Sequence, residues 1–429
     1  MNFDVTETMQ HQEALDTVRI ASPALLPGAT ADESCVSKLA AWVTDAGLAG
    51  ESETAVLAGF CERACMMGIP LARAQIIIDT LHPVHEGRVF RWERDKEELA
   101  PRDYERSDDA QAQARWRSSP WYQLLETGDS FLRRRLTPEN EAEFWVFREL
   151  RAAGITEYVA IINRFRAGSA IGNMDCVYSS WATDRSTGFS DSDLATLQQL
   201  TPFVALAVKS AALARVAENL VETYLGRDAG RRVLKGGITR GVAERIDAVL
   251  WFSDLRGFTR ITDTTPEHVI PLLDDYFDAI VSAIHERGGD VLKLIGDGVL
   301  AIFTAEDRTH ACHAALGAAK LAHQRVAVTN ERRFAEGVPT TDAYLGLHVG
   351  EMFYGNVGSK ERLDFTVIGP AVNEVSRIAA MCRSAEQPVL LSAAFVSALK
   401  DRTRFVSVGR YALRGVGRPQ ELFTIDPGS

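Results

Sequence analysis

Asp254 and Asp297, with the glycines around them, are the side chains whose types and spacing point most directly to chemistry. Asp254 follows a nearly continuous apolar run, Ala248 to Ser253, as expected of a strand buried on both faces. Leu255, Arg256, Gly257, Phe258 and Thr259 come next, and a helical pattern follows them. A carboxylate at a strand end, beside a turn and a helix N-terminus, suits a divalent cation on its oxygens and phosphate on the free backbone N–H groups. Asp297 lies in Gly296-Asp297-Gly298, between the apolar segments of Asp290 to Phe303, a pattern that predicts a tight hairpin. Alone, that is an ordinary Asp-Gly turn. Two carboxylates at the ends of neighbouring strands are a different matter. They have the geometry to hold two metal ions around the attacking and leaving oxygens of an in-line displacement. A third segment, Leu363 to Arg377, runs from a strand (Phe365 to Ile368) through Gly369-Pro370 into a helix with Asn373 and Arg377 on one face. An Asn and an Arg so placed are usually only solvated. The functional reading gives Asn373 a ribose hydrogen bond and Arg377 charge stabilisation at a phosphoryl group.

The blocks WFSDLRGFT (251–259), GGDVLKLIGDGVLAIF (288–303), LGLHVGEMFYGNVG (345–358), LDFTVIGPAVNEVSR (363–377) and LRGVGRPQELF (413–423) resemble the class III nucleotidyl cyclase catalytic domain, in that family's order and spacing. The resemblance implies a ferredoxin-like α+β catalytic domain. It makes Asp254 and Asp297 the ligands of two divalent cations, Mg²⁺ or Mn²⁺, in each active site. Backbone from Leu255 through Arg256, Gly257 and Phe258 to Thr259 would contact the triphosphate. Lys293 and Thr366 would read the purine, Asn373 would orient the ribose, and Arg377 would stabilise the transition state. Arg414 lies near the position of a basic residue for the terminal phosphates, and Arg418 competes for that role. The Lys/Thr pair departs from the Lys/Asp pair of membrane-bound members and is similar to a bacterial and soluble subgroup that makes cyclic AMP. Chemistry agrees, since a lysine donor suits adenine N1, whereas guanine N1 carries a proton and prefers a carboxylate. The family also implies ATP as substrate and a homodimer whose two sites are completed across the subunit interface. The alternatives are a guanylate cyclase and a non-enzymatic dimerisation module. Gly288-Gly289-Asp290 is similar to the opening of a diguanylate cyclase signature, but no Glu-Phe follows it.

These residues need a scaffold. From Ile246 onward strand, helix and hairpin signals alternate, which predicts one α/β catalytic domain over 244–426. Upstream, residues 1–34 read as a polar tail. Helical spacing at Val36, Leu39, Ala40 and Val43, and again at Val56, Leu57, Phe60 and Ala64, precedes strands predicted at 71–79, 87–93, 157–165 and 174–182. Residues 94–120, charged and poor in apolar side chains, predict a long loop. Ser190 is the expected N-cap of a long helix, with Asp193 at its third position and Phe189 and Leu194 as a hydrophobic staple. Pro202 would kink that helix or restart it. In element order, residues 35–215 resemble a GAF-type sensory domain, which implies a small ligand or a dimer contact. Residues 216–243 then read as linker helix and turn.

The chain has 429 residues, with 47 Lys+Arg against 58 Asp+Glu, a net charge of −11 that argues against a general nucleic-acid binder. Its six scattered cysteines predict a reduced, cytoplasmic protein. The opening MNFDVTETMQ resembles neither a signal nor a transit peptide. The best apolar stretch, Pro202 to Val208, is cut by Lys209 and Arg215, so no membrane span is expected. Paired histidines at His82 and His85, and at His310 and His313, lack further ligands nearby and read as structural or solvated, and His348 reads as a satisfied core residue.

Overall fold

The computed structural model describes residues 31–97, 99–105, 109–166 and 171–426, so most of the predicted 1–34 tail lies outside the described residues. Two compact units divide between Val216 and Ala217.

The first unit is a six-stranded antiparallel sheet of β1 (Arg73–Asp79), β2 (His85–Glu93), β3 (Arg102–Glu105), β4 (Phe131–Arg135), β5 (Glu157–Arg164) and β6 (Cys176–Thr183), in the order β3-β2-β1-β6-β5-β4. Strand alternation gives the sheet two apolar faces. Ile76 and Ile78 pack with the helices Ala31–Leu48, Glu53–Met66 and the first half of Asp191–Leu225, while Ile77 packs with Pro120–Thr127 and Trp145–Ala152. The predicted loop 94–120 is corrected, because it contains β3 and the helix Ala110–Arg117. Neither carries an apolar pattern. Three of the four β3 residues are exposed and its strand is a charged sheet edge, and the helix buries no residue.

The long helix Asp191–Leu225 starts with the reciprocal cap read from sequence. The Asp193 N–H donates to Ser190 Oγ at 3.1 Å, and the Ser190 N–H donates to Asp193 Oδ2 at 2.8 Å. Pro202 lies inside an unbroken helix. By length and composition this helix is long and apolar enough to cross a membrane, because its charges are few and spread out although no uninterrupted apolar run is long enough. Its stripe of Leu194, Leu197, Leu200, Val204 and Val208 is buried in the first unit's core. After Gly226 a second helix, Arg227–Leu234, occupies part of the predicted linker. It buries only Ala229 and Gly230, so it leaves no apolar stripe in the sequence.

The second unit contains β7 (Ala243–Leu255), β8 (Asp290–Ile295), β9 (Gly298–Phe303), β10 (Ala343–Gly358), β11 (Leu363–Ile368), β12 (Val389–Ser392), β13 (Phe405–Tyr411) and β14 (Gln420–Ile425). Its sheet runs β13-β14-β12-β10-β7-β9-β8, and β11 pairs with the far end of β10. The antiparallel order β10-β7-β9-β8, with helices Val269–Glu286 and Arg308–Ala335 as crossovers, is a ferredoxin-like β-α-β-β-α-β core. Alternation along β7 again decides which side each residue serves. Val249, Trp251 and Leu255 pack under those two helices, while Ala248, Leu250 and Phe252 join the opposite core with Val375 of the helix Pro370–Ala385. Asp254 shares the parity of Leu250 and Phe252. That helix lies very close to β10 because Gly346 has no side chain. A Cβ there would stand 2.7 Å from the Ala379 nitrogen and 2.8 Å from the Val375 oxygen.

Candidate active site

β7 delivers Asp254 to the mouth of the β8–β9 hairpin. Ser253 pairs with Val299, so the next residue along β7 meets the turn that carries Asp297. Gly296, at φ +62°, supplies the left-handed conformation of that turn. Asp297 is held in place by a hydrogen bond from the Leu255 N–H to its Oδ2, at 3.1 Å. Asp254 Oδ1 is buried and accepts no hydrogen bond among the described residues. Burial, and then the charge of Asp297, push the Asp254 carboxyl up to about 6. A desolvated, unpartnered carboxylate oxygen beside a second carboxylate fits a hard divalent cation. No group of three His, Cys, Asp or Glu side chains forms a metal site among the described residues. Two carboxylates of this kind suit a hard divalent cation that takes its remaining ligands from other oxygens.

The phosphate side follows at once. The N–H groups of Leu255 and Arg256 are committed, to Asp297 and to the Asp342 carbonyl at 2.7 Å. Those of Gly257, Phe258 and Thr259 make no hydrogen bond among the described residues, at the start of the helix Phe258–Thr264. Gly257 caps that helix at φ +70°.

Lys293 leaves β8 just after an irregularity in its pairing with β9, where the register shifts between Val291 and Lys293. Bulges of this kind re-aim side chains. The ammonium forms an ion pair with Asp364 of β11. Asp364 precedes Thr366 by two positions and so shares its face of the strand, the one signal in the sequence that could have singled it out. Thr366 is half-buried, opposite Gly355. Asn373 is exposed and Arg377 half-buried on the helix Pro370–Ala385. Arg377 makes no ion pair among the described residues, and its guanidinium lies 3.9 Å from where a Gly415 Cβ would stand. The loop of Arg414 is thus against it, and Arg414 and Arg418 are both exposed. The chain brings together Asp254 with Asp297, Lys293 with the Asp364–Thr366 face, and Arg377 with the Gly415 loop. No hydrogen bond or ion pair joins these three groups to one another among the described residues.

The histidines lie apart from this chemistry. His82 stacks on His85 at 4.6 Å, and its Nδ1 accepts the N–H groups of Val84 and His85 as a turn would. His310 and His313 are exposed. His348 is buried, with Nδ1 2.9 Å from Ser392 Oγ, and burial pulls it down to about 4. In an unfolded chain the same imidazole titrates near 6.5. Between those values the unfolded state holds a proton that the folded state lacks. The stability due to neutral His348 is therefore complete above pH 6.5 and is lost as pH falls toward 4. Glu374 Oε2, 3.6 Å from Nε2, favours the protonated form and offsets part of the effect. The expected loss is about 2 kcal/mol, read as the difference in urea stability between wild type and His348→Gln across pH 7 to 4. Parallel curves for the two proteins would refute it.

Comparison with known proteins places this geometry. Residues 242–426 match the adenylate and guanylate cyclase catalytic domain. That segment is a class III nucleotidyl cyclase domain. Adenylate cyclase 1 of Rhizobium meliloti is 29% identical over 250 residues, covering 57% of this chain and 37% of that protein. The adenylate cyclase of Anabaena cylindrica is 32% identical over 161 residues, covering 36% of this chain and 31% of that protein. The chain thus spans about a third of the length of these two relatives. The solved adenylyl cyclase CyaB from P. aeruginosa is 26% identical, covering 43% of this chain and 95% of that one, with a TM-score of 0.40. Every candidate residue above, from Asp254 to Arg418, falls inside the cyclase domain, whereas the helix Arg227–Leu234 precedes it.

Proposed function

We propose that this chain is an adenylate cyclase that converts ATP to 3′,5′-cyclic AMP and pyrophosphate. The observation that carries the reading is the buried Asp254 Oδ1 beside Asp297, without a partner among the described residues, at the end of a strand followed by three backbone N–H groups that make no hydrogen bond among those residues. Divalent cations bound there would lower the pKa of the ribose 3′-hydroxyl and neutralise triphosphate charge. The N–H groups of Gly257, Phe258 and Thr259 receive phosphate oxygens. Lys293, aimed by its ion pair with Asp364, donates to adenine N1, and the Thr366 hydroxyl accepts from the adenine amino group. Asn373 orients the ribose. The 3′-oxygen attacks the α-phosphorus in line, pyrophosphate leaves, and Arg377 stabilises the charge that builds at phosphorus. Arg414 serves the terminal phosphates. The three separate groups within one chain accord with a homodimer in which one subunit supplies the aspartates and the other supplies Lys293, Thr366, Asn373 and Arg377, giving two sites related by a twofold axis. The first unit is a GAF-like regulatory domain that binds a small ligand or makes a dimer contact, and the helix Asp191–Leu225 is its exit. Its support is the sheet with helices on both faces, followed by a single long helix.

The test is cyclic-nucleotide production by the purified full chain given ATP or GTP with Mg²⁺ or Mn²⁺. Cyclic AMP is expected, and its absence under all four conditions would end the proposal. A second expectation concerns the base. Lys293→Glu combined with Thr366→Cys should move the ATP:GTP ratio of kcat/KM toward GTP by about 10²-fold or more, because lost and mismatched hydrogen bonds act on both purines. An unaltered ratio removes Lys293 and Thr366 from base recognition.

A further inference from the structure

The eight-residue helix Arg227–Leu234 lies outside the cyclase match, yet it touches β8, which carries Lys293, and through Arg232 it reaches Tyr354 of β10, the strand paired with that of Thr366. Its entry is Gly226, at φ +86°, where any Cβ would overlap the Val291 carbonyl oxygen. Val291 is one edge of the register shift from which Lys293 emerges. Ala229 is fully buried in one core with Leu292, the residue inside that shift. One turn on, on the same face, the helix presents Arg232, which pairs with Asp228 and Glu244 and whose guanidinium lies 5.1 Å from the Tyr354 ring centroid. Tyr354 meets Phe365 edge-on at 4.8 Å, and Phe365 stands between Asp364 and Thr366. The helix cannot yield easily, since a Cβ on Gly230 would stand 3.0 Å from Glu222 Cα of the preceding helix.

We infer that Gly226 and Arg232 are positioning residues for the purine site: through Val291–Leu292 and through Tyr354–Phe365 they set how far Lys293 stands from Thr366. The inference rests on the proposed base-reading role of those two residues. It differs from a general structural role in what it affects, because a change in that separation alters base binding and purine choice more than the chemical step at phosphorus. Gly226→Ala acts by pushing the Val291 carbonyl and straining a left-handed φ, and Arg232→Ala by freeing the Tyr354 ring and breaking the ion pairs to Asp228 and Glu244.

The experiment uses the full chain and the non-reacting probes 3′-deoxyATP and 3′-deoxyGTP with Mg²⁺, measured by equilibrium dialysis, so that no turnover is required. Gly226→Ala and Arg232→Ala are each expected to weaken 3′-deoxyATP by about fivefold or more and to narrow its advantage over 3′-deoxyGTP, while kcat at saturating ATP stays within about twofold. Arg231→Ala, which loses an ion pair with Glu222 and a charge near Asp290 but touches neither Val291 nor Tyr354 in any hydrogen bond or ring contact among the described residues, should bind like wild type. Unchanged affinity and base ratio in Gly226→Ala and Arg232→Ala overturn the inference, as does a fall in kcat with binding intact. Should Gly226→Ala fail to fold, as judged by its melting curve, Arg232→Ala decides alone. A wild-type chain that binds neither probe also overturns the inference. Turnover of the unaltered chain judges the cyclase proposal separately.

Discussion

Asp254→Ala should lower cyclic AMP formation by at least about 10³-fold, and Asp297→Ala should do the same, because in the proposed mechanism each would remove a ligand from a site whose cation would supply several kcal/mol of charge stabilisation. The two aspartates are not redundant. Asp254 has a buried oxygen with no partner among the described residues, while Asp297 is tied to the Leu255 N–H, so neither can swing to replace the other. The folded protein should survive both changes. Asp254→Asn is the sharper control, because it keeps the volume and removes only the charge. Leaving a desolvated carboxylate unpaired costs stability, so this variant should melt at or above the wild-type temperature in chelator while it loses activity. Initial rates with ATP and Mg²⁺, set beside melting curves, check the expectation. A rate within tenfold of wild type for Asp254→Ala would refute the metal assignment.

Arg377→Ala is the second large effect, with kcat expected to fall by about 10²- to 10³-fold and KM for ATP to change little. The guanidinium is half-buried and has no ion pair among the described residues, beside the Gly415 loop, so its charge is uncommitted in the resting protein. Its full strength is drawn on only when charge builds at phosphorus, which is why kcat and not KM should record the loss. Arg377→Lys should recover only part of the rate, since a point charge does not replace a planar fork that bonds two oxygens. The measurement is the separate determination of kcat and KM for the three proteins. A rise in KM at constant kcat would instead make Arg377 a ground-state binding residue.

The legible parts of this molecule were those controlled by short stretches of chain. The Ser190–Asp193 cap, the Gly296 turn and the apolar run that ends at Asp254 all depend on neighbours within a few residues, and each appears in the structure. The segment 94–120 was misread for the same reason. An edge strand and a helix that bury almost nothing carry no apolar period to be read. Pro202 is the opposite case, because the helix does not restart there despite a strong local signal. The stripe from Leu194 to Val208 packs on both sides of the proline, and that burial holds the helix together through the missing hydrogen bond.

Residue types and local periods were sufficient to single out Asp254 and Asp297 as candidate metal ligands and to say where their strands end and which face each residue takes, because alternation along a strand is a property of the chain alone, while the purine roles of Lys293 and Thr366 came from the family resemblance. Partnership across the sheet was not contained in them. The Lys293–Asp364 ion pair joins residues on β8 and β11, the register shift at Val291 exists only against β9, and Gly226 matters only because Val291 arrives beside it. Each of these rests on contacts between segments far apart in the chain. Their register is settled when many weak packing terms are satisfied at once, and no local stretch of sequence carries that sum.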